Sequence, residues 1–440
     1  MNNRILIWGP IVVLLACLLS GCLDRDGELP TPTPTIESLS AVVSTATPRP
    51  AATTTIVALP TETAVSPISP TVTETPSPTP TPSATPTPDY PIYSGPPLDR
   101  NQIGIQVHLH REDIPGIFDH LQALHMGWVK VQVSWKLYQP EPDRLDEVLF
   151  AELDELVAKA AENNIKVLLS VAKAPEWSRP TTELDGPPID YDHYRAFMAL
   201  LAARYTGRVA AYELWNEANL QREWNGVSLN AADLVALIRA GATGVRSVDG
   251  TAVLISGAPS PTGINDGITA VDDRQYFREM VAAGVLDVVD AVGAHPYGWA
   301  NPPDATAANP DSAATSHNNH PSFFFLDTLQ DYHAILEGAG RPETPIWVTE
   351  FGWGSFDRLE APPPAGVEFM NDVSEWQQAV YILRAYEIGQ SLEWVGPMFL
   401  WNLNFGPTLG PDFIETGFSV LRPDGSRRPV YEALTTLLVR

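Results

Sequence analysis

Two glutamates in this 440-residue chain stand where apolar runs end: Glu217 in "AYELWNEANL" and Glu350, 133 positions later, in "PIWVTEFGW". Strands commonly turn on Gly, Asp or Pro, so a carboxyl flanked by an indole and two amides is an unusual ending. Two carboxyls facing one cleft can cleave a bond to a leaving oxygen. One protonates that oxygen while the other attacks or activates water. Other residues with chemical capacity end apolar runs too: His108, Trp135, Trp177, Asn216, His295, Tyr297, Trp353 and Trp401. Flat rings suit the C–H faces of a sugar, and amides, imidazoles and carboxylates suit its hydroxyls. A carbohydrate is therefore the expected partner.

These residues must be held by the elements that precede them. Eight short apolar runs read as strands: 103–108, 128–135, 166–172, 209–215, 252–257, 288–295, 345–350 and 397–402. Their continuous apolar character suits strands covered on both faces. Longer segments of helical period lie between them, such as "LDEVLFAELDELVAKAAENN", and "PVYEALTTLLVR" would close the ring. Eight β-then-α units predict an α/β fold, a (β/α)8 TIM barrel, over residues 98–440. An open doubly wound sheet would normally carry a glycine-rich turn after its first strand, and "GIQVHLHRED" has none. In such a barrel the strand ends gather at one mouth, which would bring Glu217 and Glu350 together.

Blander readings compete with these. Pairing with Arg222 or Arg358, the arginines nearest in sequence, would make the glutamates structural. His295 could be a core histidine, and Trp177 and Trp353 could be rim packing. His108 and His110 lack a third ligand at fitting spacing, so neither a metal nor another cofactor is expected. The long segments 297–322 and 355–370 read equally as surface insertions or as walls of a cleft.

"ELWNEANL" followed by "WVTEFGW", with "HPYG" at 295–298, Trp401, and the terminal "RPDGSRRPVYEAL", resembles the clan A retaining glycoside hydrolases. The likeness is greatest to family 39, with family 5 next. The resemblance implies Glu217 as acid/base, Asn216 as the contact to the sugar 2-hydroxyl and Glu350 as nucleophile. It implies that Tyr297 or His295 orients the nucleophile and that Trp401 floors the subsite at the cleaved bond. A neighbouring ionised Glu350 is expected to help keep Glu217 protonated. The same site could instead transfer glycosyl groups, or survive in a non-catalytic carbohydrate-binding lipoprotein.

Before the barrel lie two segments of different character. Residues 1–22 combine an early Arg4, an apolar run too short and interrupted for a membrane span, and "LSGC", which resembles a bacterial lipobox ending on Cys22. Residues 23–97 hold 17 of the 42 prolines, interleaved with Thr and Ser. Such a composition has too little apolar surface to offset ordering entropy, so a disordered tether is expected. The prediction is a monomer at the cell surface, attached to the membrane only through an N-terminal lipid. A net charge of −26 disfavours nucleic acid and anionic lipid as partners of the folded part.

Overall fold

The computed structural model describes residues 88–110 and 112–440. The expected signal segment, Cys22 and the tether up to residue 87 lie outside the described residues. Eight parallel strands follow one another in the chain: β1 (Ile103–Val107), β2 (Trp128–Ser134), β3 (Lys166–Ala172), β4 (Ala211–Leu214), β5 (Val253–Ser256), β6 (Val292–Ala294), β7 (Ile346–Phe351) and β8 (Val395–Leu400). Their spatial order is β5-β4-β3-β2-β1-β8-β7-β6. The remaining edges, β5 and β6, meet at a parallel bridge between Ile255 and Ala291, with Ser256 N donating to Ala291 O at 3.1 Å. Gly293 permits this closure, because a Cβ there would lie 2.6 Å from Ser256 O. The fold is the (β/α)8 barrel.

The helices between the strands form where amphipathic period and capping residues coincide. The first long one, Glu147–Glu162, follows Asp146, whose carboxylate accepts from Val148 N and Leu149 N. It buries Phe150, Leu153, Leu156, Val157 and Ala160 against the barrel. Two more, Tyr191–Tyr205 and Ala231–Arg246, pack around β4 and β5, capped by Asp190 and Asn230. No helix among the described residues is long and apolar enough to cross a membrane.

Strand polarity alternates more than the apolar runs suggest. At the bottom of the barrel Trp128, Leu168, Ala211, Ile255, Trp347 and Phe399 form a cluster of their own. Their outward neighbours Val129, Val167, Tyr212, Leu254 and Val348 belong to the large core under the helices. Two residues further along the same inward faces come Lys130 on β2, Ser170 on β3 and Glu213 on β4, all fully buried. The barrel therefore carries a polar layer above an aromatic plug.

Several boundaries differ from expectation; β4 and β6, for example, begin only at Ala211 and Val292. The barrel begins before residue 98: Tyr93 is 6 % exposed, and its N–H donates to Thr436 Oγ1 at 2.8 Å. β8 starts two residues earlier than the apolar run and stops at Leu400, leaving Trp401 just beyond the strand.

Candidate active site

Glu217 reaches the mouth through a strained turn. After β4 the backbone adopts φ +86° at Trp215 and φ +45° at Glu217, conformations that cost non-glycine residues on the order of 1 kcal/mol or more each. The surroundings enforce them. The Trp215 ring is fully buried, edge-on to Tyr194 and Trp224, and Glu217 N donates to Ala258 O at 2.9 Å. Glu350 arrives differently. The β7–β8 register slips between Val348 and Phe351, and irregularities of this kind re-aim side chains beside active sites. Glu350 lies 4 % exposed within the mouth.

The two carboxylates have different partners. Glu350 Oε1 accepts from Lys130 Nζ at 2.9 Å, and its Oε2 accepts from the Tyr297 hydroxyl at 3.0 Å. Glu217 Oε1 faces His295 Nδ1 at 3.0 Å, and its Oε2 accepts from Arg222 Nη2 at 2.7 Å. The sequence left open whether Tyr297 or His295 orients Glu350. Tyr297 bonds it directly, whereas His295 bonds Glu217 and stays 3.9 Å from Glu350. A donor atom from each of Glu217, His295 and Glu350 lies within 4.8 Å of the other two. That triangle could hold a metal ion by distance alone. Lys130 and Arg222, however, already set fixed positive charge against both carboxylates, which opposes a divalent cation.

Charges around the pair shift its titration. Burial alone would raise the Glu217 pKa, but the His295 hydrogen bond and the Arg222 charge outweigh it and hold the carboxyl below the usual range. Any help that Glu350 gives in keeping Glu217 protonated is thus opposed by these two neighbours. For His295 burial acts downward and is overcome by the charges of Glu350 and Glu217, so the imidazole pKa is raised. Lys130 is likewise raised against burial by Glu213 and Glu350. Burial and the adjacent Glu350 push the Tyr297 hydroxyl well up, so it stays a donor.

Asn216 is 2 % exposed, and its Oδ1 accepts no hydrogen bond among the described residues. Trp401 lies edge-on to Tyr297, with centroids 6.3 Å apart. His108 stands one layer away, stacked on Phe405 at 5.1 Å, which in turn packs on Trp401. Its Nε2 contacts Thr408 Oγ1 and Glu112 rather than either catalytic candidate.

Of the remaining candidate indoles, Trp135 and Trp353 are too buried to offer a face to a sugar. Trp135 is fully buried, stacked on Phe197, with its N–H on Gln139 Oε1. Trp353 is fully buried against Phe325 and Tyr381, its N–H on Asn301 O. Trp177 packs edge-on to Trp135 and His193 and donates to Gln139 O. Neighbours thus cover Trp135 and Trp353 on all sides, whereas Trp177 stays half-buried.

Lys130, Glu213 and Arg222 also belong to this cluster, without standing out as functional candidates in the sequence. The first two were hidden inside apolar runs, where a single charge is itself the signal of a polar barrel layer. Arg222, in sequence only a rival explanation, does pair with Glu217; Arg358 pairs instead with Asp89 at the surface. The segment 297–322 folds back on itself, with Asn301 Nδ2 donating to His317 O and Phe323 O. Together with segment 355–370 it walls a small apolar recess that begins at Tyr297 and includes Trp299, Val367 and Phe369.

The sequence matches the family model of cellulase (glycosyl hydrolase family 5) over residues 93–393, more than half of the chain. Among similar solved structures is a family 39 glycoside hydrolase from the gut symbiont Bacteroides cellulosilyticus WH2, with TM-score 0.57 and 20 % identity, covering 78 % of this chain and 64 % of that one. Another is the exo-beta-1,4-mannosidase Op5Man5 from Opitutaceae bacterium strain TAV5, with TM-score 0.52 and 15 % identity, covering 78 % and 59 %. A third is GH5_18 from Streptomyces cattleya in complex with Manb1-4GlcNAc, with TM-score 0.53 and 13 % identity, covering 76 % and 79 %. This chain thus spans less than two thirds of the first two, and at these identities the likeness is one of fold. No curated protein matches the sequence. Over most of its barrel the chain belongs to the cellulase family, glycosyl hydrolase family 5, within clan A.

Proposed function

We propose that the barrel hydrolyses β-glycosidic bonds of a poly- or oligosaccharide with retention of configuration. The observation that carries this reading is the closeness of the two carboxylates, each of which brings one oxygen to within 4.8 Å of the other. Retaining pairs stand about 5–5.5 Å apart and inverting pairs about 6.5–9.5 Å, because inversion needs room for a water. In the first step Glu350 attacks the anomeric carbon as the glycosidic C–O bond breaks, and Glu217 gives its proton to the departing oxygen. In the second, Glu217 takes a proton from water, whose oxygen displaces the Glu350 ester and restores both groups. Lys130 and Tyr297 aim and balance the nucleophile, Asn216 offers a buried acceptor to the 2-hydroxyl, and Trp401 floors the cleaved sugar.

Location belongs to the same proposal. "LSGC" at residues 19–22 supports lipidation of Cys22 and display on the outer face of a membrane, with residues 23–87 as a stalk. The experiment is a screen of the protein against aryl β-glycosides and polysaccharides, following the first-formed anomer by NMR and sizing the products. Release of the β-anomer first supports retention; α-anomer first, or no turnover across the panel, overturns it. Mass spectrometry of the membrane fraction tests the anchor by looking for a diacylglyceryl-modified Cys22 peptide.

A further inference from the structure

Both oxygens of the proposed acid are engaged by nitrogen before any substrate arrives. His295 Nδ1 faces Oε1 at 3.0 Å, and Arg222 Nη2 donates to Oε2 at 2.7 Å. A guanidinium only donates, so a proton bound to Glu217 cannot point along the Arg222 contact. The loop that carries Arg222 is tied down. Trp224 N donates to Leu220 O at 3.0 Å, Trp215 Nε1 donates to Glu223 O at 3.3 Å, and Asn219 Nδ2 bonds Ser260 O and Val271 O. The Arg222 side chain, 10 % exposed against 0 % for His295, is the partner on the open side of the pair.

We propose that Arg222 is a positioning residue for Glu217, holding Oε2 for the base role of the second half-reaction and yielding it for the acid role of the first. This deepens the proposed function and rests on it. The charged and titratable groups around Glu217 are His295 and Tyr297 after β6, Glu350 on β7, Glu213 on β4, Lys130 on β2, and Arg222 and Glu223 on its own loop. Lys130 is spent on Glu213 and Glu350, at 3.3 and 2.9 Å. Arg222 and His295 are then the cations that act on Glu217, set against the anions Glu350 and Glu213. Once Glu350 is esterified one of those anions is gone. The balance swings towards an ionised Glu217, as general base catalysis requires.

The geometry makes a signed prediction. In R222M the anions prevail and Glu217 stays protonated to higher pH. The alkaline limb of kcat/KM, which reports the acid in the free enzyme, moves up by at least about one pH unit. Deglycosylation slows because the base is less ionised, so a dinitrophenyl glycoside gives a larger burst. R222K keeps the charge and moves the limb less than R222M, while R222Q separates lost charge from lost hydrogen bonding should R222M fold poorly. A ¹³C-glutamate NMR titration of the same proteins, with the Glu217 resonance assigned through E217Q, needs no turnover. A Glu217 titration that does not rise in R222M or R222Q overturns the inference whatever the activity. If it rises and the kinetic limb follows, both inference and function stand. If it rises and no limb follows, Arg222 governs Glu217 as inferred, but the acid role of Glu217 falls.

Discussion

Lys130 Nζ lies 2.9 Å from Glu350 Oε1 and 3.3 Å from Glu213 Oε2, so one fully buried ammonium holds two carboxylates of the barrel. Removing it leaves two anions facing each other out of water. Breaking a buried pair on one side costs about 3–5 kcal/mol. K130M is accordingly expected to lose stability on that order in urea unfolding, together with most turnover. K130M combined with E213Q, which relieves the stranded charge, recovers part of the stability. Equal stability of K130M and wild type would show that Lys130 holds neither carboxylate.

The two glutamates fail differently because their proposed roles differ. E350Q removes the nucleophile, and activity falls on the order of 10⁴-fold or more with every substrate. E217A removes only leaving-group protonation from the first step, a contribution of about 10²–10⁴-fold. Dinitrophenyl glycosides should be spared in the first step and natural linkages not. Azide should yield a β-glycosyl azide from E217A and an α-glycosyl azide from E350A. Matching losses in both variants with both substrate types would reverse these assignments.

Asp249 shows how acid should weaken the fold away from the mouth. Its carboxylate accepts from Thr251 Oγ1 at 2.7 Å and from Thr251 N and Gly207 N at 2.8 and 3.0 Å. The Thr251 hydroxyl chiefly, with these N–H groups, pulls its pKa down to about 2. A folded-state value below the unfolded one, about 3.9, means stabilisation that is complete above the unfolded value and lost as pH falls through 2. D249N should cost about 1–2 kcal/mol at pH 7, and its Tm deficit should close towards pH 2. A deficit independent of pH would leave the carboxylate charge without a role.

The boundary between tether and barrel can be tested by deletion. Removing residues 24–87 should leave Tm and turnover unchanged, because Asp24–Thr87 has too little apolar surface to form a core. Tyr93 belongs to the barrel, buried and bonded to Thr436 and Pro96. Tyr93→Ala should therefore cost about 3 kcal/mol in an unfolding titration. A neutral Tyr93→Ala would move the boundary back to residue 98.

By itself the sequence determined the repeat of eight strand–helix units and the two glutamates at the ends of the fourth and seventh, because both signals are local. Apolar period specifies an element, and a carboxyl at its end needs no partner to be noticed. The tertiary structure decided everything that depends on the phase of a strand around the barrel. Alternation turns Lys130 and Glu213 inward, while Trp135, just past β2, and Trp353, just past β7, are fully buried, and that phase is set only when parallel neighbours register and the ring closes at Ile255 and Ala291. Tyr297 and His295 sit two residues apart, yet they serve different carboxylates because the mouth brings β4 and β7 to opposite sides of them. Arg222 turns back onto Glu217 because a strained, tightly bonded turn aims it there. No local pattern encodes that direction, since it follows from packing between loops far apart in the chain.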